Sequence, residues 1–581
     1  CDLPAGYVVN NTDCNDAAAS INPAAAEVCD SVNTDENCNG TADNLDSTTT
    51  NFSSFYTDAD QDGYGTTPMV QACEAYAGLS NVSGDCNDNA ATVLPGAAEI
   101  ARNAIDEDCD GVDDARWTGT RTVSDATSAL AGTTGATTAA GTFGGVMAGG
   151  YDINGDGYAD ILISDRNYDS GNTAATTDVG ITYLYQGGAA GIATLANYRL
   201  TDANGDAWSG QGAGMVGDTN TDGKDEVLIG AYRYDDGSGH ANAGRVALFR
   251  GATTVSGAKT EANAAIVVTS NAASDYLGWS VAGLGDLVGS DGKPDWAFSS
   301  MGSASKVFVV SGTTAASASY SPAGAALVTI TSTAANQYLG TSIAGDLDAT
   351  GDGNADLVFS AAGTNKVYLY EGPLTADTTE GAADVTLVPS GMAYATWQAN
   401  ASPYFATNNV STAGDFNNDG YEDLLVGADG YDGGATDAGA AWLYLGPIGT
   451  SPTPAMTFTG SAASDGAGKS VGGGLNVDGD GFDDLLVGVG GAENGATANT
   501  GAAILFYGSS SASGTYTLST VGSSGAVWYG STAQTYLGLT VLAAGDTNGD
   551  SFDDFLLGAP VGKNGSNQAV GLAYYFQGTG Q

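Results

Sequence analysis

The chain has 581 residues, too many for one ordinary domain, and its 67 acidic against 15 basic residues give a net charge of −52. Charge of that sign and size argues against nucleic acid and anionic membranes as partners and favours cations, while 42% hydrophobic residues in regular runs separate the chain from acidic disordered ones. No run approaches the roughly 20 apolar residues of a membrane-spanning helix and no signal-like segment opens the chain, so a mature or trimmed product is expected.

In chain order, residues 1–49 and 50–114 read as two related modules. "CDLPAGYVVNNTDCNDAAASINPAAAEVCDSVNTDENCNGTADN" aligns with "CEAYAGLSNVSGDCNDNAATVLPGAAEIARNAIDEDCDGVDD" with few gaps. All seven cysteines lie in the first 109 residues, as in a small, oxidised, extracytoplasmic domain with too little core to stand without staples. The spacing pairs Cys1 with Cys14, Cys29 with Cys38, and Cys73 with Cys86. Cys109 faces Ala101, which leaves it free or bonded to another chain or to a part of the protein outside this sequence. Acidic turns stand at Asp35, Asn37, Asn39 and Asp43, and at Asp106, Asp108, Asp110 and Asp114; "DADQDGYG" adds Asp58, Asp60 and Asp62. Short turns of this kind are commonly just solvated, so they are weaker metal candidates than the loops that follow. The modules resemble the MopE-like metal-binding motif of bacterial secreted proteins, which implies metal binding. The first begins partway through its pattern, so the natural chain is expected to extend further; Cys1 as a lipidated first residue is the alternative to its disulfide.

From residue 115 a longer unit recurs seven times, starting at Asp152, Asp218, Asp286, Asp346, Asp415, Asn476 and Asp546, at intervals of 60 to 70 residues. Each copy has a Gly-rich lead-in such as "YLGTSIAGD", an acidic loop, an apolar run such as "DLLVG", and two more runs such as "GAAWLYLG" and "AMTFTG". Four short runs bounded by turn residues predict a four-stranded antiparallel sheet, and seven sheets in tandem predict an all-β, seven-bladed β-propeller. The seventh copy stops after its third run, and Ala115 to Thr120, "ARWTGT", resembles the fourth run "AVWYGS", so residues 115–120 are expected to close the last blade.

The loops follow D-x-[DN]-x-D-G-x-x-[DE], which aims several oxygens inward as a hard Ca²⁺ ion requires. Three copies are complete: Asp152, Asn154, Asp156 and Asp160; Asp218, Asn220, Asp222 and Glu226; and Asp415, Asn417, Asp419 and Asp423. The sixth opens with Asn476 before Asp478, Asp480 and Asp484, and the seventh has Asp546, Asn548, Asp550 and Asp554 but Ser551 for the usual glycine. The fourth, Asp346, Asp348, Asp352 and Asp356, reads with two extra residues; the third, Asp286, Asp291 and Asp295, has one extra and Val288 near the third ligand position. Turn preference alone places Asp, Asn and Gly in hairpins, but it does not demand acid at positions one, five and nine together, in register from copy to copy.

The pattern "YLG…SVAG…GD…DG…D…VGA" resembles the FG-GAP repeat of integrin α-subunit propellers and their bacterial relatives, over about residues 115 to 581. That resemblance implies a calcium-binding propeller with ligands engaged on the face opposite the loops. No G-x-S-x-G, H-E-x-x-H or P-loop motif is present, and the one histidine, His240, sits in a Gly-rich hairpin. The expected protein is a secreted or cell-surface, non-enzymatic calcium-binding adhesion propeller with a protein or glycan ligand. Two alternatives stand beside it: a self-associating subunit of an extracellular filament or surface layer, and an accessory domain of a polysaccharide- or lipid-directed enzyme.

Overall fold

The apolar runs become strands, and a computed structural model describes residues 11–97, 105–107, 109, 117–132, 142–170, 178–196, 198–201, 207–254, 256–315, 317–388, 409–563 and 569–578. Apart from single-turn helices these residues are all-β. The chain divides into two compact units, Cys1–Ala115 with Gly580–Gln581, and Arg116–Thr579.

Among the described residues the second unit holds seven sheets. Their first strands are Val146–Tyr151, Ser209–Val216, Leu277–Gly283, Leu339–Leu347, Val410–Gly414, Ala467–Leu475 and Thr540–Gly545. In the fifth sheet Val410–Gly414 pairs antiparallel with Asp423–Ala428, that strand with Ala440–Tyr444, and that with Met456–Thr459. Second strands such as Asp423–Ala428 are buried at every residue because both faces pack, which is why they read as unbroken apolar runs.

Each sheet packs on the next through its own apolar cluster. Leu425 and Leu443 of the fifth sheet, for instance, share a core with Val487 and Ile504 of the sixth. The order returns to its start: Leu556 and Tyr575 of the seventh sheet pack with Ile161 and Tyr183 of the first, and Thr540–Gly545 lies against Val146–Tyr151. The recurrent glycines sit at these junctions. A Cβ on Gly427 would lie 2.0 Å from the Gly468 carbonyl oxygen, and one on Gly488 2.0 Å from that of Gly538. Across the seventh and first sheets a Cβ on Gly558 would meet the Gly144 oxygen at 2.4 Å.

The outer edges hold a strand that the four-run reading did not contain. Gly257–Thr260, Ser317–Tyr320, Thr378–Thr379 and Gly514–Tyr516 each leave their own sheet to pair in parallel with the fourth strand of the preceding one. Gly119–Thr122 does the same for the sixth sheet, matching Ala526 with Gly119 and Tyr529 with Thr122. The expected closing strand, residues 115–120, is therefore corrected. Ser128–Ala131 is the antiparallel fourth strand of the seventh sheet, with Leu130 opposite Ala573. Trp117 packs edge-on against Trp528, Phe555 and Phe576, with ring centroids 5.2 to 5.8 Å apart, and seats this segment between the sixth and seventh sheets.

In the first unit Thr66–Ala72, Ser53–Thr57 and Leu79–Ser80 form a small sheet. The disulfides are Cys14–Cys38, Cys29–Cys73 and Cys86–Cys109, which replaces every pairing read from the spacing; Cys1 lies outside the described residues. Cys14 and Cys38 correspond to Cys86 and Cys109, so the shared bond is the longer one within each module. Cys29 has Ala101 as its counterpart and bonds across residue 49 to Cys73.

Candidate metal centre

All seven acidic loops lie between the first and second strands of their sheets, and they fold alike. In the fifth, Asp415 Oδ1 accepts the Asp419 N–H at 2.9 Å and Oδ2 that of Gly420 at 2.8 Å. Asp152 accepts from Asp156 and Gly157, Asp218 from Asp222 and Gly223, Asp286 from Asp291 and Gly292, and Asp546 from Asp550 and Ser551. Asn476 accepts from Gly479 at 2.8 Å. The first side chain thus shapes the loop by holding its amides, and Ser551 takes the glycine's left-handed backbone at φ 73°.

The fourth loop is corrected in register. Asp348, not Asp346, accepts from Gly351, Asp352 and Gly353, at 2.7, 3.0 and 2.8 Å. Asp348, Thr350, Asp352 and Asp356 then keep the spacing of the pattern with no insertion, with Thr350 in place of Asp or Asn at the third position. Asp346 stands upstream at the end of the first strand, where it accepts the Tyr151 hydroxyl at 3.4 Å.

The ninth-position acids, Asp160, Glu226, Asp295, Asp356, Asp423, Asp484 and Asp554, each open a second strand or stand immediately before it and are fully buried. Asp423 Oδ2 accepts the Phe416 N–H at 3.1 Å and Oδ1 the Gly446 N–H at 2.8 Å, tying the loop to the end of the third strand. Gly187, Gly312, Gly372, Gly508 and Gly578 make the second bond for the other aspartates. Glu226 has instead the Thr219 N–H at 2.7 Å and Arg250 Nη1 at 3.8 Å. Burial pushes Asp160 and Asp423 up to about 7 and Asp295, Asp356 and Asp554 up to about 6, against the amides that favour their charged forms.

Acids one position earlier have a role that the motif did not assign. Asp225, Glu422, Asp483 and Asp553 accept the N–H of the first residue of the preceding sheet's loop, Asp152, Asp348, Asp415 and Asn476, at 2.7 to 2.8 Å. The signal was the doubled acid in "KDEV", "YEDL", "FDDL" and "FDDF".

Third-position side chains point to a guest. Asn154 Oδ1 is buried and accepts no hydrogen bond, while Asn154 Nδ2 donates to Asp156 Oδ2 at 2.8 Å. Buried polar atoms ordinarily have partners, and a hard cation among these oxygens would supply one. Asn417 and Asn548 likewise donate to Asp419 and Asp550. Val288 offers no oxygen, so the third loop is the poorest of the set.

In the first unit the turn at Asp35 is closed by its own hydrogen bonds. Asp35 accepts from Asn39 and Gly40, the Asn37 and Asn39 side-chain amides donate to Asp46, and Asp43 accepts the Asp30 N–H. Buried Glu27, which the sequence reading passed over, gathers the N–H groups of Glu36, Asn37 and Asp43. Asp58, Asp60 and Asp62 share one turn, with Asp62 accepting the Tyr64 N–H at 2.8 Å. Asp106 is described, whereas Asp108, Asp110 and Asp114 lie outside the described residues. His240 Nδ1 is 2.6 Å from Asp236 Oδ2 and holds that carboxyl below its usual range.

Two family models match parts of both units. The family described as "Putative metal-binding motif" matches residues 13–44 and 85–115, and the FG-GAP repeat matches residues 407–444 and 538–576. Integrin alpha-5 of Xenopus laevis is 28% identical over 153 residues, 26% of this chain and 14% of that protein. Phosphatidylinositol-glycan-specific phospholipase D of Bos taurus is 32% identical over 192 residues, 30% of this chain and 21% of that protein. The matched region thus spans about a seventh of the first relative and about a fifth of the second. Among solved structures, BBS1N in complex with ARL6DN, soaked with lead, matches at a TM-score of 0.41 and 8% identity, over 80% of this chain and 97% of that one.

Proposed function

We propose that this chain, which carries FG-GAP repeats and metal-binding motifs, is a calcium-binding extracellular protein whose second unit is a seven-bladed β-propeller acting in adhesion or ligand binding. The propeller reading is supported by the seven inter-sheet cores, the last of which joins Leu556 and Tyr575 to Ile161 and Tyr183. The observation that carries calcium is the buried, unpartnered third-position oxygen Asn154 Oδ1, in a loop whose first carboxylate is already oriented by backbone amides. Oxygen-only ligand sets in flexible loops favour Ca²⁺ over Mg²⁺, which retains its waters. Three disulfides fit an oxidising compartment, hence secretion or display at a cell surface. The reading is non-catalytic, with His240 committed to Asp236, and it assigns the ligand to an extracellular protein or glycan.

Melting of the intact chain in chelator and in calcium tests it. Calcium should raise the melting temperature by 10 °C or more, on the order expected for several sites well above their Kd, and magnesium should do far less. Immobilised extracellular proteins and glycans should then retain the chain only in calcium. A melting curve indifferent to chelator would overturn the calcium reading.

A further inference from the structure

We propose that the first unit holds a divalent-cation site of the calcium class built from two separated segments: Asp58, Asp60 and Asp62 on one turn, with Asp85 and Asp88 from the segment that enters the Cys86–Cys109 loop. Carboxylate oxygens of Asp58, Asp60 and Asp88 lie within 4.8 Å of one another, and so do those of Asp60, Asp62 and Asp85, with Asp60 common to both groups. In the seven loops of the second unit no three carboxylates converge in this way among the described residues.

The second observation is where the hydrogen bonds go. Asp58 Oδ2 accepts the Gly63 N–H at 3.3 Å, Asp62 Oδ1 that of Tyr64 at 2.8 Å, and Asp85 Oδ1 that of Asn87 at 2.7 Å. The remaining oxygens, Asp58 Oδ1, Asp62 Oδ2, Asp85 Oδ2 and both of Asp60, are buried with no hydrogen-bond partner. Asp58 and Asp85 are only 5% and 7% exposed. Asp88 binds the two segments, accepting the Ala59 N–H at 2.7 Å and the Thr66 hydroxyl at 3.3 Å. Like charges so placed repel unless something positive lies between them. Neither segment carries a cation of its own, since the sequence has no Lys, Arg or His before Arg102. A cation from solvent would supply the missing partner, and several converging carboxylate oxygens suit Ca²⁺.

Such an ion would act as a non-covalent staple, fastening the Asp58 turn to the disulfide-closed segment in a unit with little core. The site does not depend on calcium in the second unit.

Peptide-resolved hydrogen exchange on the intact chain tests it, with CaCl₂ added to chelated protein. Asp60→Asn is the informative variant, since neither Asp60 oxygen accepts a hydrogen bond and its loss removes charge without removing one. Calcium should slow exchange about tenfold in peptides covering residues 59–66 and 83–89 together. Asp60→Asn should abolish the slowing in both while the second-unit loops respond as before. No slowing at 59–66 in the native chain, slowing there without slowing at 83–89, or an unchanged response in Asp60→Asn would each overturn the site. A response confined to these two segments would uphold it while removing calcium from the second unit, and a response confined to the loops would do the reverse.

Discussion

At Gly427 the fold tolerates no side chain. The second strand of the fifth sheet touches the backbone of the sixth there, and a Cβ 2.0 Å from the Gly468 oxygen cannot be absorbed by a rotamer change because its neighbour is main chain. Gly427→Ala should therefore lower stability by about 2–3 kcal/mol, read as a fall in the urea midpoint. Gly434, whose Cβ would meet nothing within 4 Å, provides the control at which alanine should have little effect. Asp165 makes a different demand. It is buried, accepts the Thr142 N–H at 2.8 Å and hydroxyl at 3.0 Å, and is pushed by burial from 3.8 up to about 6. The folded chain therefore favours the protonated acid, so its stabilisation is complete below about pH 4 and is lost as pH rises through 6, up to about 3 kcal/mol. Asp165→Asn cannot titrate, and its melting temperature should fall less than that of the native chain between pH 4.5 and 7.5. Equal pH slopes would show that Asp165 does not carry this dependence.

Among the elements, Gly119–Thr122 and Ser128–Ala131 do unequal work. The first covers the outer edge of the sixth sheet; the second is the fourth strand of the seventh and places Leu130 in the core shared with the first sheet. Deleting residues 117–122 should cost a few degrees of melting temperature and promote association through the uncovered edge, whereas deleting 117–131 should abolish cooperative melting. The opposite ranking, by calorimetry and size-exclusion chromatography, would contradict these roles. The sequence signal was misleading here because Trp117 resembles Trp528, yet the two segments are neighbours in one sheet. A truer parallel was available: "GTRTVSDATSALA" has the strand, single turn and strand of "GAKTEANAAIVVT", where Gly257–Thr260 and Ile266–Thr269 flank Glu261–Asn263. Strands of four residues with exposed faces carry too little apolar alternation to announce themselves.

For the whole molecule the governing quantity is a charge of −52, concentrated where loops gather carboxylates. About ten divalent ions would still leave it near −32, so the chain stays strongly acidic with or without a full complement. If the loops hold calcium as proposed, their carboxylates should repel one another in chelator, and part of the melting temperature lost there should return with 0.5 M NaCl, whose screening length is about 4 Å. Salt acts on every exposed carboxylate alike, so its rescue should be broad and partial, whereas calcium at the proposed sites should restore stability at micromolar to millimolar concentrations. Rescue by salt as complete as that by calcium would place the effect in general repulsion rather than in built sites.

The sequence by itself determined the all-β class, the seven repeats, the buried second strands and the placing of an acidic loop before each. These follow from local causes: apolar runs mark burial, and Asp, Asn and Gly at fixed spacing mark a turn whose amides need acceptors. The tertiary structure decided which cysteines meet, that Asp348 rather than Asp346 opens the fourth loop, which segment completes the seventh sheet, and that Asp85 faces Asp60. Each of these pairings joins groups whose local sequence is compatible with several partners. Six cysteines alone permit 15 connectivities, and only the packing of distant segments selects among them.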